Sequence, residues 1–384
     1  MKNEFIYLDY QASTPIFPSS LQKMQPYLTE SFANPHSSQH IAGLNSFKSI
    51  EKAKVKIAQF INADPNEIIF TSGATEANNL ALFGMCHENP IRKRILISSI
   101  EHKCVMAPAH HLSKLGYEVI HIPVTPDGII DTKKFESLLD DNVFFVSIMA
   151  VNNEIGSIQP IEECASLAKS VGAFFHTDAA QAPMCLELDV HKMNLDLISL
   201  SSHKMCGPKG IGALFISNEI QNQIRPIILG GEQQNGIRSG TLPTHLCVGF
   251  GEAASYLQTN RKAIFDEIRD RRNYFYNQLN KVADIKLIGP NLNNRHLGNL
   301  NLAFPQIDAE ELLLILQTEI AASTGSACTS GIMEPSHVLT AIGIDTNTVD
   351  SCIRFSFGIG QTNKQLDLAV AKINNAICQI KNRQ

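Results

Sequence analysis

The chain has 384 residues, of which 44% are hydrophobic and 18% charged, and its formal net charge is −5 at pH 7. This composition is typical of a soluble globular protein, and the length predicts two lobes rather than a single core. Lysine and arginine form no basic stripe, which argues against direct binding of nucleic acid.

Cysteine usage and the N-terminal residues bear on the compartment. The opening MKNEFIYLDY resembles neither a signal peptide nor a transit peptide. No apolar run is long enough to cross a membrane. The nine cysteines are scattered without a CxxC pair, as is typical of reduced thiols rather than disulfides or a zinc site. We expect a cytoplasmic protein with no membrane partner and no metal.

Short apolar runs alternate with helix-like stretches between residues 62 and 216. This pattern predicts an α/β fold with a mainly parallel seven-stranded sheet that carries helices on both faces. The predicted strands are residues 67–71, 94–98, 119–122, 143–149, 173–177, 196–200 and 211–216. The helices predicted between them include residues 102–114 and 161–170.

The C-terminal part of the chain predicts a smaller α+β lobe. A long helix over residues 248–279, interrupted near Asn260, would bridge the two lobes. The elements predicted after it are strands at 286–289, 300–304 and 352–356 and helices at 309–317 and 364–381. We therefore expect a large domain over residues 15–255 and a small domain formed by residues 1–14 and 256–384.

Polar residues follow five of the predicted strands, at residues 72–75, 101–102, 152–154, 178 and 201–204. In sheets of this type ligands bind beyond the carboxyl ends of the strands. Packing alone would not require polar clusters at five strand ends. We expect the binding site at this edge of the sheet.

Lys204 lies just after the apolar run at 197–200, and a Gly-Pro-Lys-Gly turn follows it. A lysine at the end of a buried strand loses hydration, which makes its amine a better nucleophile toward a carbonyl. The alternative is a solvated surface lysine beside a turn. Asp178 closes another buried run, and a lysine combined with an acid is what pyridoxal phosphate requires of a protein.

Two further positions fit such a cofactor. Residues 71–78 predict a strand end, a glycine turn and a helix start, where free amides and the hydroxyl of Thr75 suit a phosphate. The alternative is a plain glycine turn with a threonine cap. His102 follows another strand, where its ring could stack on a heteroaromatic group and move protons. Alone, it would instead be a structural histidine.

Two residues of the C-terminal lobe suggest chemistry. Cys328 lies in the glycine- and serine-rich run STGSACTSG, which predicts an accessible loop and a nucleophilic thiol, the alternative being an incidental exposed thiol. Arg354 lies in the apolar run CIRFS and requires an anion. That anion would be the carboxylate of an amino-acid substrate or, alternatively, an internal Asp or Glu.

Motifs along almost the whole chain resemble those of cysteine desulfurases of the IscS/NifS group, which are class V aminotransferase-like enzymes with the type I pyridoxal-phosphate fold. The motifs, in order, are YLDYQASTP, FANPHSSQHIAG, FTSGATEANN, EHK, VNNEIG, HTDAAQ, SSHKMCGPKGIGAL, RSGTLP, STGSACTSGIMEPSHVL and RFSFG. Each is modestly specific, but their common order leaves little room for another family.

The resemblance implies a role for each matching residue. Lys204 would hold the cofactor covalently and move protons, Asp178 would pair with the pyridine nitrogen, and Gln181 would bond the ring hydroxyl. His102 would stack on the ring. The groups implied to hold the phosphate are the backbone N–H of Ala74, then Thr75, Ser201 and His203, and Thr241 of a neighbouring subunit.

The resemblance also implies a substrate and partners. Asn153, next to the cofactor, and Arg354 would hold the carboxylate of L-cysteine, and Cys328 would receive its sulfur as a persulfide. The role of Thr241 implies a homodimer. The persulfide would pass to an acceptor protein, such as an iron–sulfur scaffold or a thiolation relay protein.

Some positions depart from the family pattern. Cys206 replaces an aromatic residue, as a packing substitution or a second thiol near the cofactor, and Glu232 and Gln234 alter a glycine-rich run. The chain ends soon after its last helix, so scaffold docking through a longer tail is not expected. The rival functions are a selenocysteine lyase or another class V aminotransferase, which needs no thiol at Cys328, and a non-catalytic sulfur-relay subunit.

Overall fold

The computed structural model of the protein describes residues 5–87, 91–324 and 335–383. The strands are β1 Ile6–Tyr7, β2 Ile68–Thr71, β3 Arg94–Ser98, β4 Glu118–Ile122, β5 Val143–Ser147, β6 Phe174–Asp178, β7 Leu197–Ser201, β8 Gly212–Ile216, β9 Lys286–Leu287, β10 Asn299–Ala303, β11 Ile320–Ala321 and β12 Cys352–Ser356. The helices are α1 Pro18–Met24, α2 Pro26–Thr29, α3 Ile41–Ile61, α4 Ala74–Cys86, α5 Lys103–Lys114, α6 Thr132–Leu138, α7 Ile161–Ser170, α8 Thr244–Leu279, α9 Ala309–Leu316, α10 His337–Ala341, α11 Thr346–Val349 and α12 Asn363–Lys381.

The central sheet has seven strands in the order β2-β8-β7-β6-β5-β3-β4. Its strands are parallel except β8, which runs antiparallel to both β2 and β7. One apolar core packs α3, α7 and α8 against one face, and a second packs α4 and α5 against the other. The predicted α/β fold with a mainly parallel seven-stranded sheet is therefore confirmed.

A further core, separate from the two of the central sheet, lies in the C-terminal part of the chain. It contains an antiparallel sheet in the order β12-β10-β9, with α9 and α12 packed against it. The N-terminal β1 joins this part, because it pairs in parallel with β11. Helix α8 contributes Phe250 and Leu257 to the first core and Phe275 and Leu279 to this one.

The predicted interruption near Asn260 is wrong, because α8 is continuous from Thr244 to Leu279. Asn260 is partly exposed, and its Nδ2 donates to the carbonyl of Tyr256, one turn earlier, at 2.9 Å. The hydroxyl of Thr259 bonds to the carbonyl of Ser255 in the same way. These polar residues bond back along the helix instead of breaking it. The predicted domain boundary at residues 255/256 falls inside this helix and stays a prediction.

In the part of the chain that the structure describes, no helix combines the length and apolar character needed to cross a membrane.

Candidate functional site

A cavity of about 550 Å³ opens at the carboxyl ends of the parallel strands. It lies beyond β2, β6 and β7, where the sequence predicted a binding site. The predicted site residues that line it are Ala74, Thr75, His102, Asn153, Asp178, Gln181, Ser201, His203, Lys204 and Arg354. Ten residues from six segments of the sequence thus meet at one cavity.

Lys204 ends the 3₁₀ turn Ser202–Lys204, which directly follows β7. Its Nζ donates to the carbonyl of Ala12 at 2.9 Å and also to that of Gln11. The side chain of Gln181 donates to the same Gln11 carbonyl at 3.0 Å. The N-terminal segment therefore holds the amine at the cavity wall, close to Gln181.

Asp178 is the last residue of β6 and only 4% exposed. Its Oδ2 accepts from Nδ2 of Asn78 at 2.7 Å, and its Oδ1 accepts from the amide of Ala180 at 2.9 Å. The Sγ of Cys104 lies 3.8 Å from Oδ2. These contacts fix the carboxylate in a single orientation at the floor of the cavity.

His102 caps α5, and its Nδ1 accepts from the amide of Cys104 at 3.1 Å. Burial lowers the pKa of His102, against the opposing effect of Asp178. The ring is therefore neutral at pH 7, and because Nδ1 is an acceptor its proton lies on Nε2. Neighbouring Glu101 is fully buried, and burial and the charge of Asp178 raise its pKa well above the ordinary value, which favours the neutral form of this second carboxyl.

The N-terminus of α4 faces the cavity. The amides of Ala74 and Thr75, like the first amides of any α-helix, lack an intrahelical acceptor. The space beside the Cα of Gly73 is open, and its φ of +155° suits glycine. A Cβ on Gly212 would lie 2.7 Å from that Cα, so glycine is required there for β8 to approach. The helix terminus is thus an anion-binding cradle.

Ser201 and His203 line the same cavity as this cradle. Burial and the charges of Lys204 and Lys209 lower the pKa of His203 to about 4. The histidine is therefore neutral at pH 7 and can serve as a hydrogen-bond donor, whereas the local positive charge comes from the two lysines.

Arg354 lies in β12 and reaches the cavity from the other lobe. Its Nη2 bonds Oδ1 of Asp9 at 2.7 Å, and its Nη1 donates to the carbonyl of Asn153 at 2.9 Å. The sequence offered Arg354 two partners, a substrate carboxylate and an internal Asp or Glu, and the structure shows the internal one. Asp9 is the internal partner, and the buried Nε has no partner among the described residues.

Cys328 lies outside the described residues, but the chain on both sides of segment 325–334 is described. Ser323 pairs with Arg354 through two backbone hydrogen bonds of 3.2 and 2.6 Å, and it lines the cavity. On the other side, Ser336 donates to Glu154 at 2.6 Å, and Nε2 of His337 lies 2.9 Å from the carbonyl of Glu101. One flank of the cysteine segment thus lines the cavity, and the other is attached to Glu154 and Glu101, the sequence neighbours of the cavity-lining residues Asn153 and His102.

The structure places the remaining predicted positions away from the cavity lining. Thr241 is exposed. Gln234 docks its loop on the edge strand β2, since its side chain accepts from the amide of Phe70 at 2.7 Å and donates to the carbonyl at 2.9 Å. Cys206 is buried in the core, where burial raises its pKa to about 11. Its location favours packing over a second reactive thiol.

Sequence reasoning missed several residues that shape the site. Asn78, Asp9 and Gln11 lay inside quoted motifs, and Cys104 directly follows one, but none of them was given a role. A signal existed for Asn78, because a buried amide on the sheet-facing side of a helix requires a partner. The bond of Asp9 to Arg354 joins residues 345 positions apart, and that of Gln11 to Lys204 joins residues 193 positions apart, which no local pattern reveals.

The residues present fit pyridoxal phosphate. The open space beside Gly73 and the free amides of α4 suit its phosphate. The amine of Lys204 and the carboxylate of Asp178 line the same cavity, as the aldehyde and the ring nitrogen would require.

Comparison with known proteins gives the same picture. The model of the aminotransferase class-V family matches residues 6–368. The chain is 42% identical to cysteine desulfurase IscS of Rickettsia rickettsii over 97% of this chain and 90% of the relative. It is 43% identical to a mitochondrial cysteine desulfurase of Candida albicans over 97% of this chain and 76% of the relative.

Solved structures resemble the fold over nearly its whole length. A NifS-like protein superposes with a TM-score of 0.91 at 31% identity, covering 98% of this chain and 100% of that one. A structure described as SspA in complex with cysteine gives a TM-score of 0.80 at 35% identity, covering 93% and 100%.

Proposed function

Since this chain belongs to the aminotransferase class-V family and closely resembles its cysteine desulfurases, we propose that it is a pyridoxal-phosphate-dependent cysteine desulfurase. It removes the sulfur of L-cysteine, releases L-alanine and carries the sulfur as a persulfide on Cys328. The observation that carries this proposal is the single cavity lined by Lys204, Asp178, His102 and Arg354. One flank of the cysteine segment lines this cavity at Ser323, and the other contacts Glu101, next to His102.

The protein's own groups would supply binding, orientation and proton transfer. Pyridoxal phosphate supplies an electron sink when it is bound. Lys204 attaches the cofactor and then moves the substrate proton between carbon atoms. Asp178, oriented by Asn78, keeps the pyridine nitrogen protonated. His102 stacks on the ring and can donate from Nε2.

Substrate binding would use the rim of the cavity. The carboxylate of L-cysteine would bind at the guanidinium of Arg354, next to Asn153. Because Asp9 already holds one nitrogen of this guanidinium, the arginine keeps its orientation before the substrate arrives.

Sulfur transfer then balances without an outside oxidant. The thiolate of Cys328 attacks the sulfur of the substrate, an S–S bond forms and the C–S bond breaks. The electron pair of the C–S bond stays with the carbon skeleton, which takes up a proton and leaves as alanine. A second thiol can later remove the terminal sulfur from Cys328. The acceptor would be an iron–sulfur scaffold or a thiolation relay protein in the cytoplasm.

A homodimer is part of the proposal. Large apolar side chains are exposed on α3 and just before it, including Phe32, Ile41 and Phe47. Leu229, which is 81% exposed, lies in the segment whose Ile228 carbonyl bonds the amide of Ser239, two residues before Thr241. A second copy would cover such apolar surface and bring Thr241 to the partner's phosphate.

Two variants test the function. We expect Cys328→Ala to keep the violet absorbance of bound cofactor but to lose sulfide release from L-cysteine under reductant. Lys204→Ala should lose turnover by a factor of about 10³ or more, because the proton-transfer group and the covalent attachment are both removed.

Other outcomes would favour the rivals. Unchanged turnover by Cys328→Ala with selenocysteine but not with L-cysteine would indicate a lyase that needs no thiol. Absence of any cofactor band in the wild-type protein would indicate a relay subunit. A wild-type protein that binds the cofactor, and whose Cys328→Ala variant still releases sulfide from L-cysteine, would contradict the role of Cys328.

A further inference from the structure

An acidic side chain lies at the anion-binding end of the cavity. Glu76 is the third residue of α4, lines the cavity and has a side chain that is only 10% exposed. A largely buried carboxylate beside a dianionic phosphate would oppose its binding, because like charges at short range repel strongly when water is excluded. The cradle therefore contains a feature that works against its proposed ligand.

Arg238 compensates for this charge. Its Nε bonds Oε1 of Glu76 at 2.7 Å, and its Nη2 bonds Oε2 at 3.1 Å, so the arginine engages both carboxylate oxygens. The amide of Ser72 also donates to Oε2, at 2.8 Å. Burial raises the pKa of Glu76, but the bonds from Arg238 and Ser72 outweigh it and lower the pKa below the ordinary value. The carboxylate is thus ionised and fully paired.

Arg238 itself lies behind the cavity wall. Its side chain is 18% exposed and does not line the cavity, whereas Glu76 does. Arg238 therefore acts on a bound anion through Glu76 rather than by direct contact.

We propose that Arg238 is a positioning residue that keeps the N-terminus of α4 receptive to the phosphate group of the cofactor by neutralising Glu76. This inference rests on the proposed function. It specifies how the phosphate end of the same site accepts a phosphate-bearing cofactor. Without Arg238 the charge of Glu76 stands unpaired at the cradle and repels phosphate. Without both residues the repulsion disappears.

The test compares two ligands that differ only in the phosphate. The full-length protein, freed of cofactor, is titrated with pyridoxal 5′-phosphate and with pyridoxal, and binding is followed by the violet absorbance band. In Arg238→Met, affinity for pyridoxal 5′-phosphate should fall about tenfold, as expected for an unpaired, partly buried carboxylate near the phosphate. Affinity for pyridoxal should change by less than about twofold, since pyridoxal carries no charge at that end.

Two further variants separate electrostatics from simple bracing of the fold. Glu76→Gln should bind pyridoxal 5′-phosphate at least as tightly as the wild-type protein, and Glu76→Gln with Arg238→Met should recover most of the loss. Lys372→Met, which breaks the half-buried pair of Lys372 with Glu319 in the other lobe, serves as the matched control and should leave both affinities unchanged.

The results that would overturn the proposal are distinct. Equal weakening of both ligands in Arg238→Met, or no recovery in the double variant, would make the pair a structural brace. Weaker binding of pyridoxal 5′-phosphate by Glu76→Gln would also make the pair a structural brace. Glu76→Gln therefore still tests the proposal if Arg238→Met fails to fold. If the wild-type protein bound neither ligand, the proposed function would fail, and the role of Arg238 with it.

Discussion

His176 is a buried histidine in the middle of the central sheet. It has no solvent exposure, and its two ring nitrogens lie 2.8 Å from the hydroxyl of Ser147 and 3.0 Å from that of Ser199. Burial lowers the pKa of His176 to about 4, although Asp178 acts in the opposite direction. The side chain therefore links β5, β6 and β7 as a neutral group.

This histidine makes stability depend on pH. The unfolded chain, where histidine has a pKa of about 6.5, binds more protons than the folded chain between pH 6.5 and 4. Its contribution to stability is present above pH 6.5 and is lost as the pH falls toward 4. Because of this pKa difference, we expect His176 alone to lower the free energy of unfolding by about 2 kcal/mol when the pH falls from 7 to 5.

Denaturant unfolding at the two pH values checks this expectation. His176→Gln keeps a hydrogen-bonding side chain but cannot be protonated, so its loss of stability from pH 7 to pH 5 should be smaller by that amount. His110→Gln, at an exposed position, should keep the wild-type difference. Equal pH dependence in the wild-type protein and His176→Gln would show that this ring does not control acid stability.

Individual site residues differ in how well the sequence predicts them. Lys204 and Asp178 were predictable because Asp178 ends one apolar strand and Lys204 ends the short turn after another, and such strand ends meet at one edge of a parallel sheet. Asp9, which pairs with Arg354, was not predictable in this way, because that contact joins the chain's two ends through the fold of the small lobe. The amide pair of Gln234 with Phe70 is a similar long-range contact.

At the level of elements, helix α8 packs closely against α3. A Cβ on Gly251 would lie 2.8 Å from the Cα of Ala53 and 3.0 Å from its carbonyl oxygen. Backbone atoms cannot move without separating the helices. We expect Gly251→Ala to lower the free energy of unfolding by about 1–3 kcal/mol, a clash only partly offset by the better helix propensity of alanine.

A neighbouring glycine in the same helix gives the matched control. A Cβ on Gly249 would approach the side chain of Met24, which is flexible and can move aside. Gly249→Ala should therefore cost clearly less than Gly251→Ala in denaturant unfolding at pH 7. If the two variants were equally stable, the approach of α3 to α8 would not be limited by backbone contact.

Local pattern predicted most element bounds because most of the apolar runs of the central sheet, β4 excepted, are buried along their length. The predicted strand at 94–98 coincides with β3, and the predicted helix at 161–170 coincides with α7. The exception is α8. Its polar surface turn around Asn260 has the composition of a helix break, but the backbone there stays helical. The antiparallel direction of β8 was also not predicted. It depends on the position of β8 between β2 and β7 in the sheet, which the apolar pattern of the strand does not encode.

At the scale of the whole molecule, the proposed dimer predicts that each active site combines residues of two subunits. Thr241 is exposed and away from its own cavity, whereas Lys204 lines that cavity. If Thr241 serves the site of the neighbouring subunit, each active site combines Lys204 of one copy with Thr241 of the other. The two residues should then complement each other between subunits.

Mixed dimers of Lys204→Ala with Thr241→Ala test this arrangement. In such a dimer one site lacks both residues, and the other has Lys204 and Thr241 intact. Purified heterodimers, separated by different affinity tags, should show about half of wild-type sulfide release, because one of two sites is complete. The assay uses a limiting cofactor concentration, at which the Lys204→Ala homodimer should be inactive and the Thr241→Ala homodimer, which should bind the cofactor more weakly, should be less active than the heterodimer. Heterodimers no more active than the two parents would mean that each site is built from one chain, and that the exposed apolar surface near α3 has another partner.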